Sequence, residues 1–459
     1  MRASTICGAS LAVLAFAQPA AGQSISAEEA AALRAEVARL KAQLQSLESR
    51  LGALEPAPVV TAPPAAGPAP ATVTAKSPTS IEWRGSPQFR SQGRSFKAKG
   101  RIQADLGVVS RPDGLSDRGL GTATEFRRLR LGGEGSLGDG VGYKLEFELS
   151  DNGVDTVDTF VTYERGRFLL MAGNQNPFQS LDELTGDTSG SLMERAAYTD
   201  AFNFERRLGV SLQYRGPVLI QGGIFADDIS SLSNDADGPA GGDENNSYSL
   251  DGRLVWAPKL GDAQLHTGVS AHMRKLKRVG ETPVRYRQRP YLHTSNTRLI
   301  GTPALEVDRE TSFGVEGAAI RGPWHAVAEA HWLEARRPDA PDAGFWGAYA
   351  EVGYFLTEGD SRSYKDGIFG RTEPARPLGD GGIGAVQINL RYDYLDLNDG
   401  LIRGGTQDAW LAAVIWTPID YLRLNLNYGY LRYDGAAVAA NGRRDYGVHV
   451  GGARFELDF

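Results

Sequence analysis

From about Lys97 to the last residue, apolar and polar positions alternate with a period of two in segments of roughly ten residues, divided by clusters of Gly, Asp and Asn. Tyr143, Leu145, Phe147 and Leu149 form one face of such a segment and Lys144, Glu146 and Glu148 the other. Leu422, Leu424, Leu426, Tyr428 and Tyr430 alternate in the same way with Arg423, Asn425 and Asn427. Charges along one face of strand after strand would ruin a soluble core. They suit a barrel with lipid outside and water inside, because a closed barrel satisfies every backbone group within a bilayer. The pattern therefore predicts an all-β fold over 82–459: an antiparallel transmembrane β-barrel of about 16 strands, starting near 98, 125, 141, 155, 167, 207, 217, 246, 262, 311, 323, 345, 383, 409, 420 and 446. Short turns such as Tyr214 to Pro217 and Thr417 to Asp420 alternate with longer loops, and the short ones are expected to face the periplasm. The segment from Glu358 to Gly382 breaks this rule, being long on the short-turn side. Either the strand count is off there or the segment folds into the lumen.

The residues before the barrel follow other patterns. Leu33, Val37, Leu40, Leu44, Leu47, Leu51 and Leu54 are spaced alternately by four and three, a coiled-coil seam. Ser26 with Glu29 makes a capping box at its start, and Gly52 and Pro56 mark its end. A heptad helix this short is marginal alone, so the segment 23–54 implies self-association; packing on its own domain is the alternative. Residues 55–81 are dominated by Pro, Ala, Val and Thr, which favour extended geometry, and read as a semi-rigid spacer. Arg2, the apolar stretch LAVLAF and the small-residue run QPAAGQ make 1–22 a signal peptide with cleavage expected after Gly22. The single cysteine, Cys7, falls inside it without a lipobox leucine, so neither disulfides nor lipid anchoring are expected of the mature chain. The ending Phe455, Leu457, Phe459 is of the kind handled by the bacterial outer-membrane assembly machinery.

Composition narrows the chemistry. The formal charge is −7 and mean hydropathy is −0.32, neither disordered nor helical-membrane in character. No apolar run reaches 18 residues, which excludes a membrane-spanning helix. HExxH, GxSxG and a cysteine nucleophile are all missing, and no enzyme, cofactor, metal or nucleic-acid partner is expected. His325, Glu329 and His331 share one strand face, but strand spacing spreads them too far for one ion; a polar wall is the plainer reading. Forty of the 49 basic residues are arginine, whose planar fork matches oxyanions, although genome base composition also produces such a bias.

Several runs resemble the phosphate-selective porin O/P family: EFRRLRLGGEGSLGDGVGYKLEFEL (125–149), GNQNPFQSLDELTGDTSGSLMERA (173–196), WGAYAEVGYFLTEGDSRSYKDGIFGR (346–371), INLRYDYLDLNDGLIRGG (388–405) and LRLNLNYGYLRYDG (422–435). They stand in the family's order over nearly the whole barrel. The resemblance implies a homotrimer of 16-stranded barrels in the bacterial outer membrane, in contact with its lipid and lipopolysaccharide, with the helix in the periplasm. It also implies that the third loop, about Gln175 to Glu205, and another loop or turn enter the lumen and narrow it around a basic ladder through which small anions, phosphate or polyphosphate, diffuse. Arg195 lies in that loop.

Alternation supplies the candidate pathway residues. Ile102, Ala104 and Leu106 facing lipid put Arg101 in the lumen, and Leu129 and Leu131 do the same for Arg128 and Arg130. Arg207 stands against Leu208, Val210 and Leu212, and Arg423 against Leu422 and Leu424. The fifth loop is read as a basic funnel of Arg274, Lys275, Lys277, Arg278, Arg285, Arg287 and Arg289, with Glu281 its one acid. Each lumen arginine has a blander reading, a salt bridge to wall acids such as Glu134, Glu146 or Asp105, and for the loop cluster the alternative is binding of lipopolysaccharide phosphates. Against phosphate stands the sequence GNQNPF, since the family commonly places a lysine before Pro-Phe where this chain has Asn176. Two other functions remain open: a general, weakly selective porin, and a barrel anchor linking the outer membrane to the periplasm through the coiled coil.

Overall fold

The computed structural model describes residues 79–150, 153–226, 229, 247–276 and 283–459, together with Arg39 and Lys41. The leader, the rest of the heptad segment, nearly all of the spacer, and Lys277 and Arg278 lie outside the described residues.

Sixteen strands form the wall: β1 Arg94–Val109, β2 Gly121–Gly138, β3 Val141–Glu148, β4 Asp155–Arg165, β5 Phe168–Gln175, β6 Arg207–Arg215, β7 Val218–Phe225 and β8 Tyr248–Trp256, then β9 Ala263–Lys275, β10 Arg309–Arg321, β11 Trp324–Arg336, β12 Ala343–Phe355, β13 Ala385–Asp399, β14 Ile402–Ile419, β15 Leu422–Asp434 and β16 Tyr446–Asp458. Each pairs antiparallel with its successor, and β16 pairs with β1, Ala453 opposite Leu106 and Asp458 opposite Arg101, so the sheet closes without an edge. Outside the barrel count, a hairpin of Ser80–Trp83 and Pro87–Ser91 adds to the start of β1.

Alternation sorts the side chains as expected. Outward residues such as Leu106, Leu131 and Leu426 are exposed, whereas Gln103, Asp105, Arg130, Asn425 and Arg454 are buried. Outward aromatics collect at both ends, as barrel girdles do: Phe168 on Tyr214 and Trp324 on Tyr354 near the short turns, Trp332 opposite Trp346 and Trp410 between Tyr392 and Tyr430 toward the loops.

Two boundaries differ from the sequence reading. β14 begins at Ile402 rather than near 409, because the connection from β13 is the tight turn Gly400–Leu401, with Gly400 at φ +53°, and not a loop. Arg274 and Lys275 lie on the end of β9, not in the fifth loop. The long segment 356–384 keeps its place at the short-turn end and folds inward: Arg253 on β8 donates to its Gly367 carbonyl at 2.8 Å, and Arg362 to the Ser189 carbonyl of the third loop.

At the seam one glycine makes room for the terminal ring. Gly100 and Phe459 exchange both backbone hydrogen bonds at 3.0 Å, and a Cβ on Gly100 would stand 2.3 Å from the Phe459 ring. Gly100→Val is therefore expected to push the ring aside and cost about 1–3 kcal/mol. Heat-dependent gel mobility of the detergent-folded barrel should show unfolding several degrees lower.

Candidate functional site

The site is built where the wall meets three inward segments: loop 3 (176–206), the described part of loop 5 (283–308) and the inner turn (356–384). Loop 3 carries two short helices, α1 Leu181–Leu184 and α2 Ala197–Ala201. Ser180 caps α1, its hydroxyl accepting from the Glu183 amide at 3.0 Å. An apolar core inside the barrel fixes the loops to each other. Tyr198 stacks on His331 with ring centres 5.5 Å apart, and Phe202 meets Tyr286 of loop 5 edge-on at 6.3 Å.

Loop 3 is fastened by opposite chemistries at two stretches of wall. On β11, the Glu329 carboxylate accepts from the Leu181 and Asp182 amides at 2.9 and 2.8 Å and from the Tyr349 hydroxyl at 2.6 Å. On β13, Asp393 accepts from the Ala197 amide at 3.0 Å. Wall carboxylates thus take up the unsatisfied N–H groups at the start of both helices. Around β15, β16, β1 and β2 the polarity reverses, and carboxylates of the loop reach arginines of the wall. Asp187 lies 2.7 Å from Arg101 and 2.5 Å from Arg128. Glu194 lies 3.2 Å from Arg127 and 2.7 Å from Arg454.

These arginines stand in cross-strand rows. Arg423, Glu456, Gln103 and Arg128 lie side by side across β15, β16, β1 and β2; Gln103 donates to Glu456 at 2.6 Å and accepts from Arg128 at 2.9 Å. The next row is Asp458, Arg101, Arg130 and Glu148, and another is Asn425, Arg454, Asp105 and Glu125. Opposite charges side by side stabilise the pairing at Arg423 and Glu456, Arg130 and Glu148, and Arg454 and Asp105, whereas Arg101 beside Arg130 and Asp105 beside Glu125 are like-charged neighbours that draw on partners outside the row.

All the described candidates can now be placed. Arg101, Arg128, Arg130 and Arg423 face the lumen, with Arg130 on Glu148 at 2.8 Å and Arg423 donating to the Gly190 carbonyl of loop 3. Arg195 meets Glu183 at 3.2 Å and the carbonyls of Asp182 and Thr185. Arg207 is buried on β6. The salt-bridge reading holds for many of these, but the partners come as often from loop 3 as from the wall acids expected. Glu134 serves Lys99 at 3.3 Å instead, and Asp105 serves Arg454 at 2.7 Å. Arg274 is buried with Glu310 3.5 Å away, Arg289 reaches Asp200 of loop 3 at 3.8 Å, and Arg285 and Arg287 are exposed. Loop 5 therefore presents acid-paired as well as exposed arginines. His325, Glu329 and His331 do share a face, but Glu329 is engaged by α1, and no metal-holding cluster occurs among the described residues.

Alternation alone missed Arg127. Gln103 pairs with Arg128 but Ala104 pairs with Phe126, so Arg127 is an extra residue in β2, a β-bulge. It turns two successive arginines inward. The signal was present: Phe126 and Leu129 both face out although three positions separate them, which strict period two forbids. Arg391, between outward Leu390 and Tyr392, and Arg454, before outward Phe455, carry the ordinary alternation signal. Arg206 and Arg362 lie on connections, where periodicity has no say.

These groups enclose a cavity of about 240 Å³. Seven arginines line it, Arg127, Arg128, Arg195, Arg206, Arg289, Arg362 and Arg391, against six carboxylates, Asp182, Glu183, Asp187, Glu194, Asp200 and Glu351. Burial pushes the Asp187 carboxyl up, but Arg101, Arg128 and Arg130 outweigh it and hold the group well below the usual carboxylate range. Glu194 is likewise held low, by Arg127 and Arg454 against burial. Both attachments are complete above the ordinary carboxylate range and are lost only as pH falls through those depressed values, so mild acid leaves loop 3 in place. Burial brings Arg298 in loop 5 down to about 10, against the pull of Asp200.

Residues 96–459 match the model of a family described as phosphate-selective porin O and P. An uncharacterised protein of Caulobacter vibrioides is 64% identical over 405 residues, which span 88% of this chain and 82% of the relative. Among solved structures, an anion-selective porin from Comamonas acidovorans and the trimer form of OmpT from Vibrio cholerae each superpose with a TM-score of 0.51 at 12% identity, covering 80% of this chain and all of theirs.

Proposed function

This chain belongs to the phosphate-selective porin O and P family, and on that premise we propose that it passes small anions, phosphate or polyphosphate among them, along an arginine-lined path narrowed by loop 3. It is an outer-membrane porin of bacteria. The observation that carries it is the convergence of Arg101 and Arg128, from adjacent strands, on one carboxylate at the lumen surface. Two guanidinium groups fixed around a single carboxylate form a preorganised oxyanion site, and Arg127, Arg195, Arg391 and Arg362 continue the basic lining beyond it. Without the family's lysine at Asn176, the positive charge that lines the cavity comes from arginines. A homotrimer, the form described for the Vibrio cholerae neighbour, fits the self-association expected of the heptad seam, with helix and spacer on the periplasmic side.

Planar-bilayer recording tests this. The reversal potential in a salt gradient should show anion selectivity, and added phosphate should block the chloride current. In the double variant Arg101→Gln, Arg128→Gln, the half-blocking phosphate concentration should rise roughly tenfold or more, since two charge-assisted donors are lost. A cation-selective or unselective wild type would sink the proposal. It would favour a general porin, the reading supported by the near balance of arginines and carboxylates around the cavity.

A further inference from the structure

We propose that the hairpin ahead of the barrel is a membrane foot: it lies in the headgroup layer of the periplasmic leaflet, sets its apolar face against the lipid chains, and holds anionic phospholipid through Arg84, Arg90 and Arg94. The inference rests on the barrel and not on which ion it passes. Ser80–Ser91 also precede the residues, 96–459, that match the family.

The hairpin continues the lipid-facing wall. β2 occupies one edge of β1 from Ser95 to Val109, and β16 takes the other edge only down to Arg101, with Phe459 on Gly100. Pro87–Ser91 pairs with β1 between Arg94 and Lys97, so it fills that second edge directly beyond the last residue of the chain, and Ser80–Trp83 pairs with it in turn. Register fixes the faces. Ile81 stands opposite Phe89 and Phe89 opposite Phe96, and Phe96 shares its side of β1 with Ile102, Ala104 and Leu106. This row is open, with Ile81 65% exposed and Trp83, the next residue on its face, 76% exposed. The hairpin is also held in place: the Ser86 hydroxyl donates to the Ala98 carbonyl at 2.5 Å, and Gly85 lies so close to Tyr421 that a Cβ would stand 2.7 Å from its ring. An apolar surface continuous with the outside of a membrane barrel, at the end where its short turns lie, meets lipid, and tryptophan and phenylalanine are what a membrane interface collects.

Charge selects the lipid. From Ser80 to Lys99 there are five basic residues and one acid, Glu82, in a chain whose formal charge is −7. Lys99 is taken up by Glu134 at 3.3 Å, and Lys97 stands over the Tyr421 ring at 5.9 Å. Arg84 and Arg90 share Glu82, at 3.4 and 3.8 Å, and Arg94 has no acid partner among the described residues. Arg90 and Arg94 line an open cleft of about 440 Å³ together with Ser80, Gln88 and Ser95. Guanidinium forks beside an apolar face match the phosphate of a lipid headgroup, and a headgroup with net negative charge holds them better than a zwitterionic one.

The test uses the whole chain with Cys7→Ser and a bimane label on Ile81→Cys, or on Leu254→Cys as the reference, since Leu254 is an exposed outward residue of β8. The barrel is reconstituted in vesicles of equal parts phosphatidylcholine and phosphatidylglycerol, with brominated chains on one lipid or the other. Bromine should quench both reporters. At Ile81→Cys the quenching should be roughly twofold or more stronger from phosphatidylglycerol than from phosphatidylcholine, and at Leu254→Cys the same from either. Adding Arg84→Gln, Arg90→Gln and Arg94→Gln should leave the Ile81→Cys reporter quenched but bring its ratio to that of the reference. A reporter at Ile81→Cys that neither brominated lipid reaches, while the reference is quenched, overturns the proposal, and disulfide crosslinking of unlabelled Ile81→Cys between copies would then identify a second copy of the chain as what covers the row. Equal quenching from the two lipids at Ile81→Cys overturns it as well, because the arginines would then select nothing.

Discussion

Replacing Arg454 by leucine is expected to destabilise the barrel by about 3–5 kcal/mol, the usual result of leaving buried charges without their partner. The guanidinium is enclosed: it gives both oxygens of Asp105 a hydrogen bond at 2.7 Å, a third to Glu194 at 2.7 Å and a fourth to the Met193 carbonyl at 2.6 Å, with 1% of its side chain exposed. Leucine fills part of the volume and answers none of these acceptors. The loss should appear as a marked fall in the temperature at which the folded form disappears from unheated gels. Adding Asp105→Asn should restore part of it, because the pair fails as a unit and the two changes will not add. An Arg454→Leu barrel as heat-resistant as the wild type would show that water or neighbouring groups already serve both carboxylates.

Glu329→Ala should have the larger effect on conduction. Its carboxylate is the fastening of α1, and two amides and a tyrosine hydroxyl lose their acceptor together. Each buried donor left without its acceptor costs about 1–3 kcal/mol, enough in sum to change loop 3 from one position to several. Single-channel conductance is expected to rise about twofold with noisy open levels, in a barrel whose strands still form. Unaltered conductance with quiet openings would show that the aromatic packing around Tyr198 holds the loop unaided. The double Arg101, Arg128 variant changes ion preference instead, so the two experiments separate the gauge of the passage from its charge.

The wall was legible from the sequence because a barrel strand repeats the simplest pattern a chain can carry. Leu422 to Tyr430 shows which residues face lipid and which face the lumen, and the count of about sixteen strands follows from repetition. Legibility failed where the pattern is interrupted. The turn at Gly400–Leu401 is short enough for both flanking strands to run on, so β14 was started too late. Arg127 was lost to a bulge. Loop 3 has no period, and nothing local in the stretch from Asp182 to Glu194 tells that Asp187 meets Arg101 and Arg128, eighty-six and fifty-nine positions earlier. Side chains assembled across strands owe their contacts to register, and register is written in the whole sheet. For the same reason the acids expected to neutralise the arginines were sought on adjacent strands, whereas several come from the loop that crosses between them.

The bulge in β2 also bears on how such a strand changes over generations. Deleting a residue inside a membrane strand ordinarily turns every following side chain to the wrong face. At Arg127 it would do the reverse: Phe126 and Leu129 would come two positions apart, both still facing lipid, and regular pairing with β1 would resume. The strand thus contains one place where the gene can lose a codon, or has gained one, with lipid and lumen faces intact. Alignments of relatives should admit a single-residue gap at this point, inside what looks like an unbroken strand, and the relatives that carry it should present one arginine to the pore where this chain presents two.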